Sequence, residues 1–576
     1  MQTQTIGEFL LRRLEEVGVG HIFGVAGDFD LEFLQQLADR GRPAWVGNCN
    51  ELNASYAADG YARMNGIAAL VVTNGVGALS AMNGIAGAFC EHVPVICICG
   101  SIPRKAIERH LGLHHTLKEG SSSDFYRAYA QVTAAHAQLT PANAAFEIDR
   151  VIKTAWTTKC PVYMELPSDI AYLQIEVPEA PLELASPPSD GERLEACTKA
   201  ILERLAKAKA PAMLLDADAD RFRAVDALKR FADKAQIPVA ALMASKGMFS
   251  EQSPLFAGIY AGAGSAASTR KTIEESDCLL AVGYRRVDTN SGFLSDRLPK
   301  DTMWLRPYSA DIGEDNYQAI TVADVFERLA AKATARPAPR PAAAPAKPTN
   351  AGVAGSETDK LTQEAYWREL QTFVRPGDVL VIEDGTSTTG AAELTLPDGC
   401  TCIAQTLWGS IGYSVGALLG TLMAAPKRRQ LLFVGDGSFQ LTAQELSTML
   451  RHDLKPIIFL INNGGYTIER AILGKNATYN DVANWRYADL PKVFSRTTNA
   501  RSYVAHNVKE LRAALTAPHD GLVFVESVMD PLDAQMGTIL AGQAMASQDY
   551  GARGPQTRPG ARMDAPLGAA KRVAGV

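Results

Sequence analysis

Short apolar runs recur along this chain with helix-period segments between them, and no other feature constrains its fold as much. HIFGV, AALVVTN, VPVICICG, PVYMEL, PAMLLDA, CLLAVG, DVLVIEDG, QLLFVGDG and KPIIFLINN are each a few residues long, and several close on Gly, Asp or Asn. A strand that is apolar on both faces suits a sheet covered by helices on both sides. The alternation predicts α/β architecture with parallel sheets. A chain of 576 residues is too long for one hydrophobic core, so the alternation is divided among domains. Two compositional breaks divide it. One is SPPSDGE, Ser186 to Glu192, and the other is the Pro/Ala-rich segment within Thr334 to Glu357. The expectation is three doubly wound parallel-sheet domains at 1–185, 190–334 and 359–546. A linker at 335–358 and a flexible Gly/Arg/Pro-rich tail at 547–576 complete the chain.

Charge and cysteine usage narrow the function classes. The net charge of −6, with no Lys/Arg-rich run, argues against nucleic acid as a partner. The nine cysteines form no C-x-x-C pair and are expected to be buried free thiols in a reducing compartment. MQTQTIGEFLLRRLEE carries charges where a secretory leader needs an apolar run, so a cytoplasmic location is expected. Met64 to Cys90 has no charge, yet its asparagines and glycines suit a buried strand and a close-packed helix better than a membrane span. TNGVGALSAMNGIAGAF in the first third is echoed by LWGSIGYSVGALLGTLMAA in the last. The echo fits two α/β domains of one plan around a different middle domain. It equally fits two unrelated close-packed helices, and the sequence does not choose.

FLINNGGYTIE, Phe459 to Glu469, is a strand that stops at two asparagines and two glycines. Upstream, LLFVGDG ends a strand in Gly435-Asp436-Gly437. Ser438 to Arg451 reads as a helix, with Ser438 as its cap and Leu441, Leu446, Met449 and Leu450 on its buried face. The strand after it begins at Lys455. A crossover of this length puts Asp436 and Asn463 at the carboxyl ends of neighbouring strands, where open α/β sheets bind ligands. An anionic and a neutral oxygen there suit Mg²⁺ holding a diphosphate, and the glycines admit the backbone closely. A Gly-Asp-Gly triplet alone is usually a turn, but followed by a helix and an Asn pair it is a stronger signal.

GDG…NN at this spacing is the thiamine diphosphate motif. The chain resembles the thiamine diphosphate-dependent 2-oxo acid decarboxylases (pyruvate, indolepyruvate and phenylpyruvate decarboxylases) as far as about residue 540. The resemblance implies a pyrimidine-binding, a middle and a diphosphate-binding domain. It implies metal ligation by Asp436, Asn463 and the Gly465 backbone oxygen, and cofactor contacts from Gly435, Gly437, Ser438, Thr386 and Ser387. GNCNELNASYAADGYAR places at Glu51 the carboxylate that binds the aminopyrimidine. VAGDFDLEFL places Asp28, LGLHHTLKEG places His114 and His115, and GYTIE places Glu469, together a proton relay. In LWGSIGYS, Ile411 lies beneath the bent cofactor and the Gly409 carbonyl faces its aminopyrimidine. Taken alone, a glutamate at a helix start or a histidine pair in a loop is ordinary surface polarity.

The implied reaction is non-oxidative decarboxylation through an enamine, releasing CO2 and an aldehyde. The implied pocket residues are Thr388, Asp384, Ile468 and, from the middle domain, Asp288. Pyruvate decarboxylases typically carry tryptophan at the position of Thr388, so a threonine there points to an aromatic substrate, phenylpyruvate or indolepyruvate. Pyruvate and branched-chain 2-oxo acids are the alternatives. Carboligases and acetohydroxyacid synthases share GDG…NN but lack the histidine pair together with GYTIE. A binding protein on a decayed enzyme fold would lack Glu51 or the metal ligands. The middle domain has no G-x-G-x-x-G, so no flavin is expected. The resemblance also implies a homodimer or homotetramer with active sites between subunits.

Overall fold

The structure is a computed structural model that describes residues 1–117, 123–335, 357–497 and 499–551. The expected linker at 335–358 and tail at 547–576 fall largely outside those residues. The last described helix, Met536–Tyr550, runs into the first residues assigned to the tail.

The runs that opened the sequence reading form the centres of three sheets. The first sheet contains, in chain order, His21–Gly24, Ala44–Gly47, Ala68–Thr73, Val95–Ser101, Ala135–Gln138 and Val162–Pro167. Numbered in that order, its strands lie 2-1-3-4-6-5, all parallel. The last sheet contains Val379–Ile382, Thr401–Ala404, Gln430–Gly435, Ile457–Asn462, Arg501–Ala505 and Val523–Val528. It repeats the order 2-1-3-4-6-5, again all parallel.

The middle sheet differs. Pro211–Leu215, Val239–Ala241, Phe256–Ile259, Cys278–Val282 and Met303–Arg306 are parallel in the order 3-2-1-4-5. Two antiparallel strands, Ser309–Ile312 and Asp315–Gln318, extend its edge. Only two residues separate those strands, and Gly313 takes φ +66°, so a hairpin is the geometry available. The expected parallel sheet is therefore mixed in this unit. Among the described residues no helix is long and apolar enough to cross a membrane. All nine cysteines are free, although Cys49 is exposed rather than buried.

The internal echo belongs to a real repeat, but with different partners. Tyr413–Ala424 follows the second strand of its sheet, and its topological counterpart is Glu51–Asn65. The sequence paired it instead with Val76–Cys90, which follows the third strand. The shared glycine pattern records close packing, not position in the repeat.

Glu51–Asn65 and Tyr413–Ala424 pack against one another across the two outer units. Asn50 caps the first of these helices by accepting from the Asn53 N–H. The approach is so close that a Cβ on Gly420 would stand 1.9 Å from the Ala57 carbonyl oxygen. One on Gly60 would stand 2.3 Å from that of Ala417. Polar groups rim the contact. The Asp59 carboxylate pairs with Arg63 at 2.6 Å and accepts the Tyr413 hydroxyl at 2.5 Å. Arg63 also lies 3.6 Å from Glu91, so the two charges that bound the uncharged stretch face each other in the fold. Replacing Gly420 with Ala forces these backbones apart and should cost about 1–3 kcal/mol. Thermal denaturation reads this directly, and an unchanged Tm would show that the helices have room to separate.

Candidate active site

In the last sheet the strand order reverses between Val379–Ile382 and Gln430–Gly435, which are neighbours. Open α/β sheets place ligands at such a switch point. A helix starts at the end of each strand, Thr386–Glu393 after one and Asp436–Thr442 after the other. Unpaired N–H groups at two adjacent helix starts favour an anion. The side chains agree with this. Ser387 is 1% exposed and its hydroxyl has no hydrogen-bond partner, while Thr386 is buried beside it. A buried, unpaired hydroxyl at a helix N-terminus is a donor waiting for an acceptor.

Asp436 is buried at the start of the second helix. One carboxylate oxygen accepts the Gly437 N–H at 2.8 Å and the other the Gly465 N–H at 3.1 Å. Burial raises its pKa to about 6 against the opposing pull of backbone N–H groups from Gly437, Gly464, Gly465 and Asn463. A bound cation would offset that burial cost. Buried Asn463 donates its Nδ2 to the Thr467 hydroxyl at 2.8 Å, which leaves Oδ1 as the free acceptor. Gly465 has φ +140°, and a Cβ there would stand 2.0 Å from the Asn480 carbonyl oxygen, so only glycine fits the turn. The Asp436 carboxylate thus touches the turn that carries Asn463 and Gly465, and a carboxylate, an amide oxygen and a backbone carbonyl are donors of the kind a hard cation takes.

Two details differ from expectation. The helix begins at Asp436, not at Ser438, and no side chain caps it. Leu441, expected on the buried face, is 49% exposed, because a short 3-10 turn at Ala443–Glu445 separates it from the helix that buries Leu446 and Met449.

The loop between Thr406 and Tyr413 stands next to the same edge. The Glu91 carboxylate accepts the backbone N–H groups of Leu407 at 2.6 Å and Trp408 at 3.3 Å. Gly409 takes φ +65°, and a Cβ on it would lie 3.5 Å from Asp384. Ile411 is exposed. Burial, with help from Glu383 and Glu91, pushes the Asp384 carboxyl well above its ordinary range. The Thr388 hydroxyl turns back to the Glu383 carbonyl at 2.8 Å. Ile468 and the exposed Glu469 lie on the short helix Thr467–Ile472 that leaves the metal turn, with Ile468 against Gly385.

The first unit holds the other residues. His114 Nε2 lies 2.9 Å from Asp28 Oδ2, and the His114 and His115 rings are 4.5 Å apart. Glu51 begins its helix, half-buried, with its carboxylate against Gly77. Asp288 lies in the middle unit. Its carboxylate accepts the Thr289 N–H inside its own loop.

Among the described residues, no hydrogen bond or ion pair joins Asp28, Glu51, His114 or His115 to the Asp384–Thr388, Gly409–Ile411 or Asp436–Glu469 segments. Several residues that hold these pieces in place were missed by sequence reasoning. Glu445 accepts from Asn48, Cys49 and Asn53 across the two units. Thr538 and Gln535 bond Thr389 from the C-terminal helix. Only Glu91 left a trace, as the charge that ends an uncharged run.

Family models for thiamine pyrophosphate enzymes match three segments: the N-terminal TPP-binding domain at residues 4–124, the central domain at 198–331 and the C-terminal TPP-binding domain at 385–527. An alpha-keto-acid decarboxylase of Mycobacterium ulcerans (strain Agy99) is 40% identical over 92% of this chain and 94% of its own. One of Mycobacterium leprae (strain TN) is 40% identical over 95% and 96%. The chain belongs to the thiamine pyrophosphate enzymes. The two helix starts with the unpaired Ser387 hydroxyl fit a diphosphate, and the oxygen donors of the Asp436 turn fit a hard cation beside it.

Asp436→Asn removes the carboxylate that accepts the Gly437 and Gly465 N–H groups. Isothermal titration should show thiamine diphosphate binding weakened by at least about tenfold, because a magnesium site draws most of its affinity from carboxylates. Unchanged binding would move the cation elsewhere.

Proposed function

We propose that this enzyme converts a 2-oxo acid non-oxidatively to an aldehyde and CO2, using thiamine diphosphate and Mg²⁺ in the cytoplasm. One observation carries this reading. A buried Asp436 carboxylate is bonded to the Gly465 turn at the end of one strand, and the strand paired with it leads to the buried, unpaired Ser387 hydroxyl, in a chain aligned along nearly its whole length with alpha-keto-acid decarboxylases. In this reading the unit at 1–185 binds the aminopyrimidine, the unit at 359–546 binds the diphosphate and the unit at 190–334 lies between them. Asp436, Asn463 and the Gly465 carbonyl hold the metal. Thr386, Ser387 and the Gly435–Ser438 turn hold the diphosphate.

Thiamine diphosphate, when bound, supplies a nucleophilic carbon and an electron sink for the electron pair left by the departing CO2. The protein supplies the protonation states. Glu51 holds a proton at the aminopyrimidine ring. Asp28, His114, His115 and Glu469 move protons at the reacting carbon. CO2 release from a panel of 2-oxo acids, with and without the cofactor and Mg²⁺, tests the whole proposal. Release that ignores both would overturn it.

The active site is complete only between two subunits, so the enzyme works as a dimer or tetramer. This rests on the absence, among the described residues, of any hydrogen bond or ion pair from Asp28, Glu51, His114 or His115 themselves to the Asp384–Thr388, Gly409–Ile411 or Asp436–Glu469 segments, although Glu445 ties their neighbours Asn48, Cys49 and Asn53 to the last unit. It rests also on the exposed apolar residues Val76, Leu79, Trp408, Ile411 and Leu441 on segments flanking the site. Co-expressing Glu51→Gln chains with Asp436→Ala chains should restore activity that neither homo-oligomer shows. A fully active monomer in sedimentation would end the idea.

The favoured substrate is aromatic, phenylpyruvate or indolepyruvate. Thr388 is small, and its hydroxyl is tied to the Glu383 carbonyl, so no bulky side chain fills the space beside Asp384 from that position. An aryl group buried there gains about 25 cal/mol per Å², roughly 2–3 kcal/mol for a ring. That amounts to a preference of roughly ten- to a hundredfold over pyruvate if the transition state gains it. Thr388→Trp should therefore lower kcat/KM for phenylpyruvate far more than for pyruvate. Equal losses on both would move the pocket away from Thr388.

A further inference from the structure

We propose that Asp28, His114 and His115 form a second metal site, selective for a borderline d-block cation such as Zn²⁺, whose filling switches the enzyme off. The metal binding stands on its own geometry. The inhibition rests on the acid–base role proposed above for the same residues.

The donors are already gathered. One ligand atom from each of the three residues lies within 4.8 Å of the other two. His114 Nε2 and Asp28 Oδ2 are 2.9 Å apart. For bonds of about 2.0 Å, the edge of a tetrahedron around Zn²⁺ is roughly 3.3 Å, so one pair is at ligand spacing and the third donor needs only a small side-chain rotation.

The frame that carries them is held in place. Asn74 Nδ2 donates to the His115 carbonyl at 2.9 Å, and Gly75 packs beneath that carbonyl so closely that a Cβ would stand 2.3 Å from it. His115 itself takes φ +60°. The His114 ring stacks on Phe29, with centroids 5.0 Å apart. His115 Nδ1 is buried without a hydrogen-bond partner, so no competing bond fixes that ring nitrogen.

Ligand chemistry separates this site from the one at Asp436. Two imidazoles and one carboxylate favour Zn²⁺, Co²⁺, Ni²⁺ or Cu²⁺, whereas carboxylate, amide and backbone oxygens favour Mg²⁺. Three protein ligands also leave coordination positions open. A metal ligand must be deprotonated and stays so while bound. Filling the site therefore withdraws three groups from proton transfer at once. The balance is simple: the cation enters, any protons on the imidazoles and the carboxylate leave to solvent, and nothing is oxidised or reduced.

The test uses the full chain, saturated with thiamine diphosphate and Mg²⁺. Zn²⁺ at micromolar concentration is expected to abolish CO2 release, and a chelator selective for Zn²⁺ over Mg²⁺ to restore it. Co²⁺ is the optical probe. Bound by nitrogen ligands at low coordination number it absorbs strongly in the visible, and in an all-oxygen octahedral site only weakly. His115→Asn and Asp28→Asn should each weaken the Co²⁺ signal by at least about tenfold, whereas Asp436→Asn should keep it. A signal unchanged in both triad variants overturns the site. Zn²⁺ that displaces the Co²⁺ signal while activity persists overturns the switch. Normal Co²⁺ binding in a chain that releases no CO2 from any 2-oxo acid would overturn the decarboxylase reading and leave the site standing.

Discussion

The structure depends on one contact in which two helix backbones meet with almost nothing between them. Glu51–Asn65 and Tyr413–Ala424 belong to different sheets, yet each follows the second strand of its own sheet. Their glycines set the separation, since Gly60, Gly416 and Gly420 all face backbone or Cβ atoms of the opposite helix. This crossing fixes where the Glu51 helix and the Gly409–Ile411 loop stand relative to one another. Glu51 is the first residue of one helix, and Gly412 caps the other just after the Gly409–Ile411 loop. The Asp59, Arg63, Glu91 and Tyr413 groups around it are buried and mutually bonded. Breaking such a set strands a charge in a dry interior, so the set specifies one arrangement even where it adds little net stability.

The middle unit is attached by different means. Lys246 and Glu251 form a fully buried ion pair that also bonds the Leu394 carbonyl and the Leu396 N–H of the last unit. On the other side, Asp218 pairs with His92 at 2.8 Å, and the Arg285 guanidinium donates to the Cys90 carbonyl. Glu91 lies between these contacts and the Leu407–Trp408 backbone it holds. The middle unit therefore contacts the residues on either side of Glu91, which itself holds the Leu407–Trp408 backbone.

What the sequence revealed follows from how local each signal is. Strands such as Ala68–Thr73 and Ile457–Asn462, apolar on both faces, were legible because a central parallel strand has no other composition available. Edge strands such as Ala44–Gly47 and Arg501–Ala505 were not, because half their surface is wet. That Asp436 and Asn463 stand at the carboxyl ends of neighbouring strands was legible because one crossover fixes their spacing. Glu445 was invisible, since its partners Asn48, Cys49 and Asn53 are some four hundred residues away and nothing local marks them. Ser438 was misassigned as a cap because a helix that starts on a buried aspartate looks, in sequence, like one that starts two residues later.

The glycine crossing also limits how chimeras can be built from relatives of this chain. A side chain can be remodelled around a foreign neighbour, but a backbone that sits 1.9 Å from a hypothetical Cβ has no slack to give. The first and last units therefore have to be inherited together as one cassette. Recombination junctions belong near Ser186–Glu192 and within 336–356, where the middle unit can be exchanged through a small set of polar contacts.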